Sequence, residues 1–143
     1  MFGVQWDLVL KHIEVKEVAK GTSLEKIQRE LRNNSLSWGN YYNSSFEINR
    51  GKYAKNGALS TWHNYNSENG LENCVTYANG TSTKVQATSA DNGILLTTGA
   101  SDACKKMNIY DLAGNVAEWT LEYTANSNRP CTVRGSSYRL RII

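Results

Sequence analysis

The chain has 143 residues, 20% of them charged, with a formal net charge of only +3. That length suits one domain with its own core, and an aromatic content of 10% supplies bulk to fill it. The near-balance of charge excludes an electrostatic case for nucleic acid, the one basic cluster being R-G-S-S-Y-R-L-R at 134–141. No apolar run approaches the roughly 20 residues of a membrane helix.

The N-terminus, M-F-G-V-Q-W-D-L-V-L-K-H, has no charged leader or cleavage site, so no signal peptide is expected. Cys74, Cys104 and Cys131 make an odd count with no C-x-x-C spacing. They read as reduced or buried thiols, with pairing left open. His12 and His63 are isolated, and no zinc-ligand spacing joins them to the cysteines.

In chain order, Trp6, Val9, Leu10 and Ile13 recur at helical spacing, with Lys11, Glu14, Lys16 and Glu17 opposite. This predicts an amphipathic helix near 5–18, with Trp6 and Ile13 buried. A second helix is expected over 24–32. Ser23 would cap it, and Leu24, Ile27 and Leu31 would share a face.

Asn, Ser and Gly then supply 23 of the 50 residues from 33 to 82, which favours turns and long loops. Trp38, Tyr41, Tyr42, Tyr53, Trp62, Tyr65 and Tyr77 lie among them, too many rings for a disordered linker. This segment therefore reads as ordered loop pinned by aromatics. Ile94-Leu95-Leu96 reads as a short buried strand, residues 116–121 alternate as a strand does, and Cys131–Arg134 is β-prone. The fold class is α+β, in a single domain over 1–143.

The stretch N-I-Y-D-L-A-G-N-V-A-E-W-T at 108–120 carries the densest chemistry. Asp111, Asn115 and Glu118 offer hard oxygens, and Gly114 permits a turn that aims carbonyls inward. Calcium takes six to eight such ligands. By chemistry alone, two readings stand: a calcium turn, or a turn in which Asp111 caps backbone amides and Glu118 is solvated.

D-L-A-G-N-V-A-E-W-T also resembles the signature of the formylglycine-generating enzyme, or sulfatase-modifying-factor, family. V-Q-W-D at 4–7, S-W-G-N at 37–40 and V-R-G-S-S-Y at 133–138 are similar to further family pieces in the same order. The resemblance implies a variant of the C-type lectin-like fold, with two helices, short strands, long ordered loops and a buried Trp38 and Trp119. It maps the family's calcium ligands onto the Asp111 and Glu118 side chains and the Gly114 and Val116 carbonyls. A second family calcium site, in the loop after W-G-N, does not align onto Asn40–Asn49. Family strands expected before the first helix and after R-G-G-S-W have no counterpart, so the domain is expected to be incomplete at both ends: a truncated gene, an excised piece, or a subunit completed by another chain or by oligomerisation.

The resemblance does not extend to catalysis. Leu140 stands where the family's first copper-binding cysteine would fall, and leucine cannot supply the soft thiolate ligand. The expected function is therefore a non-catalytic binding or display domain of bacterial or phage origin, in the cytoplasm or a virion. Its partner would be a protein or glycan surface, met through the 40–82 loops and the end near 138–141. Tyr41, Tyr42, Tyr65 and Tyr138 are the expected contact rings, since tyrosine offers area and a hydroxyl with few rotors to freeze. The alternatives are a structural remnant of a mobile element or, against the missing cysteine, an oxidase.

Overall fold

A computed structural model describes residues 3–32, 36–128 and 130–139, without the side chains of Leu31 and Arg32. It is a mixed α+β structure of two helices and short antiparallel strands in small sheets. Helix α1 (Gly3–Ala19) and helix α2 (Leu24–Arg32) lie at the two places the spacing predicts. Trp6 and Ile13 are buried and Val9 and Leu10 pack beside them. The Ser23 hydroxyl accepts from the Lys26 amide at 3.3 Å and caps α2. Ile27 is buried while Leu24 is largely exposed; Leu31 falls outside the described side chains.

The segment expected to be long loop is different. It contains β1 (Phe46–Ile48), β2 (Lys52–Lys55), β3 (His63–Asn64), β4 (Val75–Ala78) and β5 (Thr81–Lys84). Strands β4 and β5 form a hairpin closed by Asn79-Gly80, both left-handed, with φ of 52° and 83°. Such a two-residue turn matches the natural strand twist, and Asn-Gly is the pair that best tolerates it. The β-prone residues V-T-Y-A and T-S-T-K flanking Asn-Gly are the sequence signal for this hairpin.

After these come β6 (Ile94–Leu96), β7 (Lys105–Lys106), β8 (Ile109–Tyr110), β9 (Glu118–Tyr123) and β10 (Cys131–Arg134). Among the described residues the sheet orders are β1-β5-β4, β3-β2-β6, β7-β8 and β10-β9. Two apolar clusters fill the interior. One gathers Ile48, Tyr53, Val75, Ile94, Leu96 and the thiols Cys74 and Cys104 between the two three-stranded sheets. The other sets Trp6 and Ile13 of α1 against Trp38, Tyr41, Leu112 and Ala113.

Two buried asparagines join the clusters. Asn115 uses its carboxamide as a strand would use its backbone: Oδ1 accepts from the Leu96 amide at 3.0 Å and Nδ2 donates to the Leu96 carbonyl at 3.0 Å. Strand β6 is paired with β2 on its other edge, so this side chain completes the ladder. Asn40 donates to the Ile94 carbonyl and to Asn115 Oδ1, both at 2.9 Å. Its own carbonyl accepts from the Asn115 amide at 2.8 Å, in a parallel bridge between Asn40 and Gly114. The approach requires glycine: Gly114 has φ of 67°, and a side chain there would run into the Asn40 backbone.

Replacing Asn115 with leucine would leave the Leu96 amide and carbonyl and the Asn40 amide without these partners. Each buried group so stranded costs about 1–3 kcal/mol, so Asn115→Leu should lower unfolding free energy by about 3 kcal/mol or more. Urea denaturation reads this directly, and a loss near zero would show that the amide is dispensable.

Candidate functional site

The residues from 111 to 118 leave the second core and enter β9. Asp111 sits in a left-handed conformation, φ 55°, and Asn115 in another, φ 57°, so the chain turns twice within five residues. The Asp111 carboxylate accepts from the Gly99 amide at 2.9 Å through Oδ2. Its second oxygen, Oδ1, is buried without a hydrogen-bond partner. Burial pushes the Asp111 carboxyl above its usual range and nearby Glu118 adds to the rise, while the Gly99 amide opposes it. Glu118 and Val116 are exposed and Gly114 is buried. Asn115, read from the sequence as an oxygen donor, spends its side chain on Asn40 and Leu96 instead. Among the described residues, no three His, Cys, Asp or Glu side chains come together in a metal-holding group.

The four tyrosines separate. Tyr41 and Tyr138 are buried, which corrects their reading as contact rings. Tyr41 belongs to the second core. The Tyr138 amide donates to the Asn115 carbonyl at 2.9 Å and its hydroxyl donates to Asn56 Oδ1 at 3.3 Å. Their rings anchor loops because the backbone on either side is already hydrogen-bonded into the core. Tyr42 is half-buried, and Tyr65 remains on the surface.

Trp119 also departs from expectation, being 65% exposed rather than buried. The β9–β10 ribbon has only two strands, and α1 covers one of its faces. On that inner side lie Thr120, Glu122 and Arg134. Arg134 donates to Glu122 at 2.7 Å and reaches towards Asp7 of α1, and Gly3 of α1 packs on the Glu122 side chain. The outer side carries Trp119, Leu121, Tyr123 and Val133, all exposed, with Val133 opposite Trp119 in register. The ribbon is thus polar towards the protein and apolar towards solvent, the reverse of an ordinary half-buried sheet. A groove of about 740 Å³ runs along it, bounded by Trp119, Thr124, Asn126, Cys131, Thr132 and Val133. The alternation of 116–121 was legible in the sequence, but which parity faces inward was not.

Lys84 was missed altogether. It ends β5, 1% exposed, and its ammonium donates to the carbonyls of Tyr41 at 2.6 Å, Tyr42 at 3.4 Å and Ser44, and to Ser44 Oγ at 3.2 Å. Burial lowers it to about 8, with the Cys104 and Cys74 thiols opposing that shift. Burial pushes Cys104 up to about 12, with Asp111 adding to the rise, and raises Cys74 as well. These two thiols are therefore poor thiolate sources. Cys131 is half-exposed on the outer ribbon.

Compared with protein-family models, curated proteins and solved structures, the chain has no significant match.

The buried ionisable groups predict a stability profile in pH. Lys84 is depressed from 10.5 to about 8, so its contribution is lost as pH falls through 8 and regained as pH rises towards 10.5. Cys104 is raised from 9.0 to about 12, so its contribution is intact below 9 and lost as pH climbs towards 12; Cys74 and Tyr53, also raised by burial, act in the same direction. Stability should therefore rise from pH 8, peak near 9 and fall in more alkaline buffer. Lys84→Met should remove the rise and Cys104→Ala should flatten the fall, as read by thermal melts across pH. A parent profile that is flat from 7.5 to 11 would contradict both assignments.

Proposed function

We propose that this chain is a non-catalytic binding domain of the C-type lectin-like type, related to the formylglycine-generating enzymes. In this reading it engages a protein partner through the outer face of the β9–β10 ribbon. The observation that carries the proposal is the inverted polarity of that ribbon. Trp119, Leu121 and Tyr123 are 65%, 63% and 80% exposed, while Thr120, Glu122 and Arg134 are turned towards the body of the protein. A contiguous apolar patch held out by a salt-bridged polar underside is what a recognition surface requires. A protein surface suits it better than a glycan, because Leu121 and Val133 add aliphatic area between the rings. The kinship is supported by W-G-N and A-G-N, two of the stretches that carry the resemblance. They meet in space at Asn40 and Asn115.

The absence of oxidase chemistry is proposed from the leucine at 140 and from the two buried thiols, both shifted away from thiolate. The groove offers one indole, two threonine hydroxyls, the Asn126 carboxamide and the lone Cys131 thiol, with no histidine or second cysteine beside it in the described lining.

Calcium remains part of the proposal. Asp111 Oδ1 is a buried oxygen without a partner, and Glu118 lies close enough to raise the Asp111 pKa. Those two carboxylates, with the carbonyls of Gly114 and Val116, would hold the ion. A bound cation would relieve the cost of keeping Asp111 charged and ordered.

Two outcomes follow. Trp119→Ser, Leu121→Ser and Tyr123→Ser should each change stability by less than about 0.5 kcal/mol, since solvent already surrounds these side chains. Peptides selected on the parent from a random display library should bind the triple variant at least tenfold more weakly. Equal binding to the triple variant, or no specific peptides, would overturn the docking face, and sedimentation would reveal self-association on it instead.

For calcium, Asp111→Asn should raise the melting temperature at pH 7 in a chelator, because a raised carboxyl loses stability as pH climbs through its folded pKa. Added calcium should raise the parent's melting temperature, with about 2.7 kcal/mol expected at a hundredfold excess over Kd, and leave Asp111→Asn unmoved. A parent indifferent to calcium would refute the ion site.

A further inference from the structure

The Lys84 ammonium is buried among neutral oxygens. The three carbonyls and one hydroxyl that receive it satisfy its donors, but among the described residues no carboxylate lies within ion-pair distance. A buried charge without a counter-charge is costly. Asn43 and Ser44, in the turn that wraps it, also line a recess.

This recess, about 550 Å³, lies between α2 and the 43–45 turn, and Ser44 is common to its lining and to the Lys84 cradle. Lys26 and Arg29, three residues apart and so on one side of α2, reach it from above. Neither has a carboxylate within ion-pair distance among the described residues, although Glu25 and Glu30 belong to the same helix. Ser37 and Gln86 add neutral donors to the wall, and Glu30 is its one carboxylate among the described residues. Two cations in the lining and a third held by Ser44 outweigh that carboxylate.

We propose that this recess binds a tetrahedral oxyanion, a sulfate or phosphate group, held by Lys26 and Arg29 over the Lys84-clamped turn. Guanidinium and ammonium groups make their strongest hydrogen bonds to such oxygens, and arginine can do so in bidentate fashion. Lys84, while protonated, places a positive charge against Ser44, and an anion in the recess supplies the missing counter-charge. The recess shares no lining residue with the ribbon groove, so this site stands or falls separately from the docking face.

The test is a titration of the full chain with inorganic phosphate and with sulfate, followed by amide chemical shifts, at ionic strength held constant with chloride. Shifts should saturate and cluster at 26–30, 36–37, 43–45 and 86. The Lys26→Gln/Arg29→Gln double variant, altered only at exposed side chains, should keep the parent's melting temperature and bind at least tenfold more weakly. Glu30→Gln should bind more tightly than the parent. A parallel arm with glucose 6-phosphate against glucose separates the sources of the group. Binding of the ester as well as the free ion assigns the site to a phosphorylated or sulfated ligand, and binding of the ion alone assigns it to the free anion. No saturable shift up to 50 mM beyond the chloride control, or equal binding by the double variant, would overturn the site.

Discussion

The structure depends on an amide that behaves as a strand. Asn115 closes the free edge of β6 with a donor and an acceptor placed as backbone groups would be, and Asn40 bridges from the other side. Short strands and small sheets leave many backbone groups at edges, and each one buried unpaired would cost stability. A carboxamide is the one neutral side chain with both a donor and an acceptor in the geometry of a peptide unit. That is why the two stretches W-G-N and A-G-N each place an asparagine directly after a glycine: the glycine admits the close approach and the asparagine uses it.

Tertiary context decided much that local pattern could not. The two helices were legible because burial on one side of a helix recurs at a fixed interval, and Trp6 and Ile13 obey it. Strands β6, β9 and β10 were legible from apolar or alternating runs. The β4–β5 hairpin was also written in the sequence, at Asn79-Gly80, but the surrounding abundance of Asn, Ser and Gly disguised it as loop. For β9, alternation left two equivalent answers. In the structure Thr120 is buried, Glu122 pairs with Arg134 on the side of Asp7, and Trp119 is on the outer face.

The candidate sites were less legible than the fold for a related reason. Tyrosine in a loop rich in Asn and Ser reads as surface, yet Tyr41 and Tyr138 are fixed by main-chain bonds at the centre of the molecule, and their rings follow. Lys84 looked like the polar end of T-S-T-K. Only the fold brings the carbonyls of 41–44 around it, because those carbonyls are some forty residues away in the chain. Asp111, expected from the sequence as a calcium ligand or a cap of backbone amides, has a left-handed backbone and an unpartnered oxygen within one turn.

The asparagine bridge also bears on how the chain reaches its native state. Asn40 and Asn115 are separated by 75 positions, and Asn40 and Ile94 by 54. The hairpins at 75–84 and 105–110 close over two-residue turns and are available on microsecond timescales. The bridge instead requires a long loop to close before its hydrogen bonds return anything. Folding should therefore be slow relative to a helical bundle of this size, with local hairpins forming well before the two cores are joined. On the ribosome, the stitching step waits until the second asparagine has left the exit tunnel.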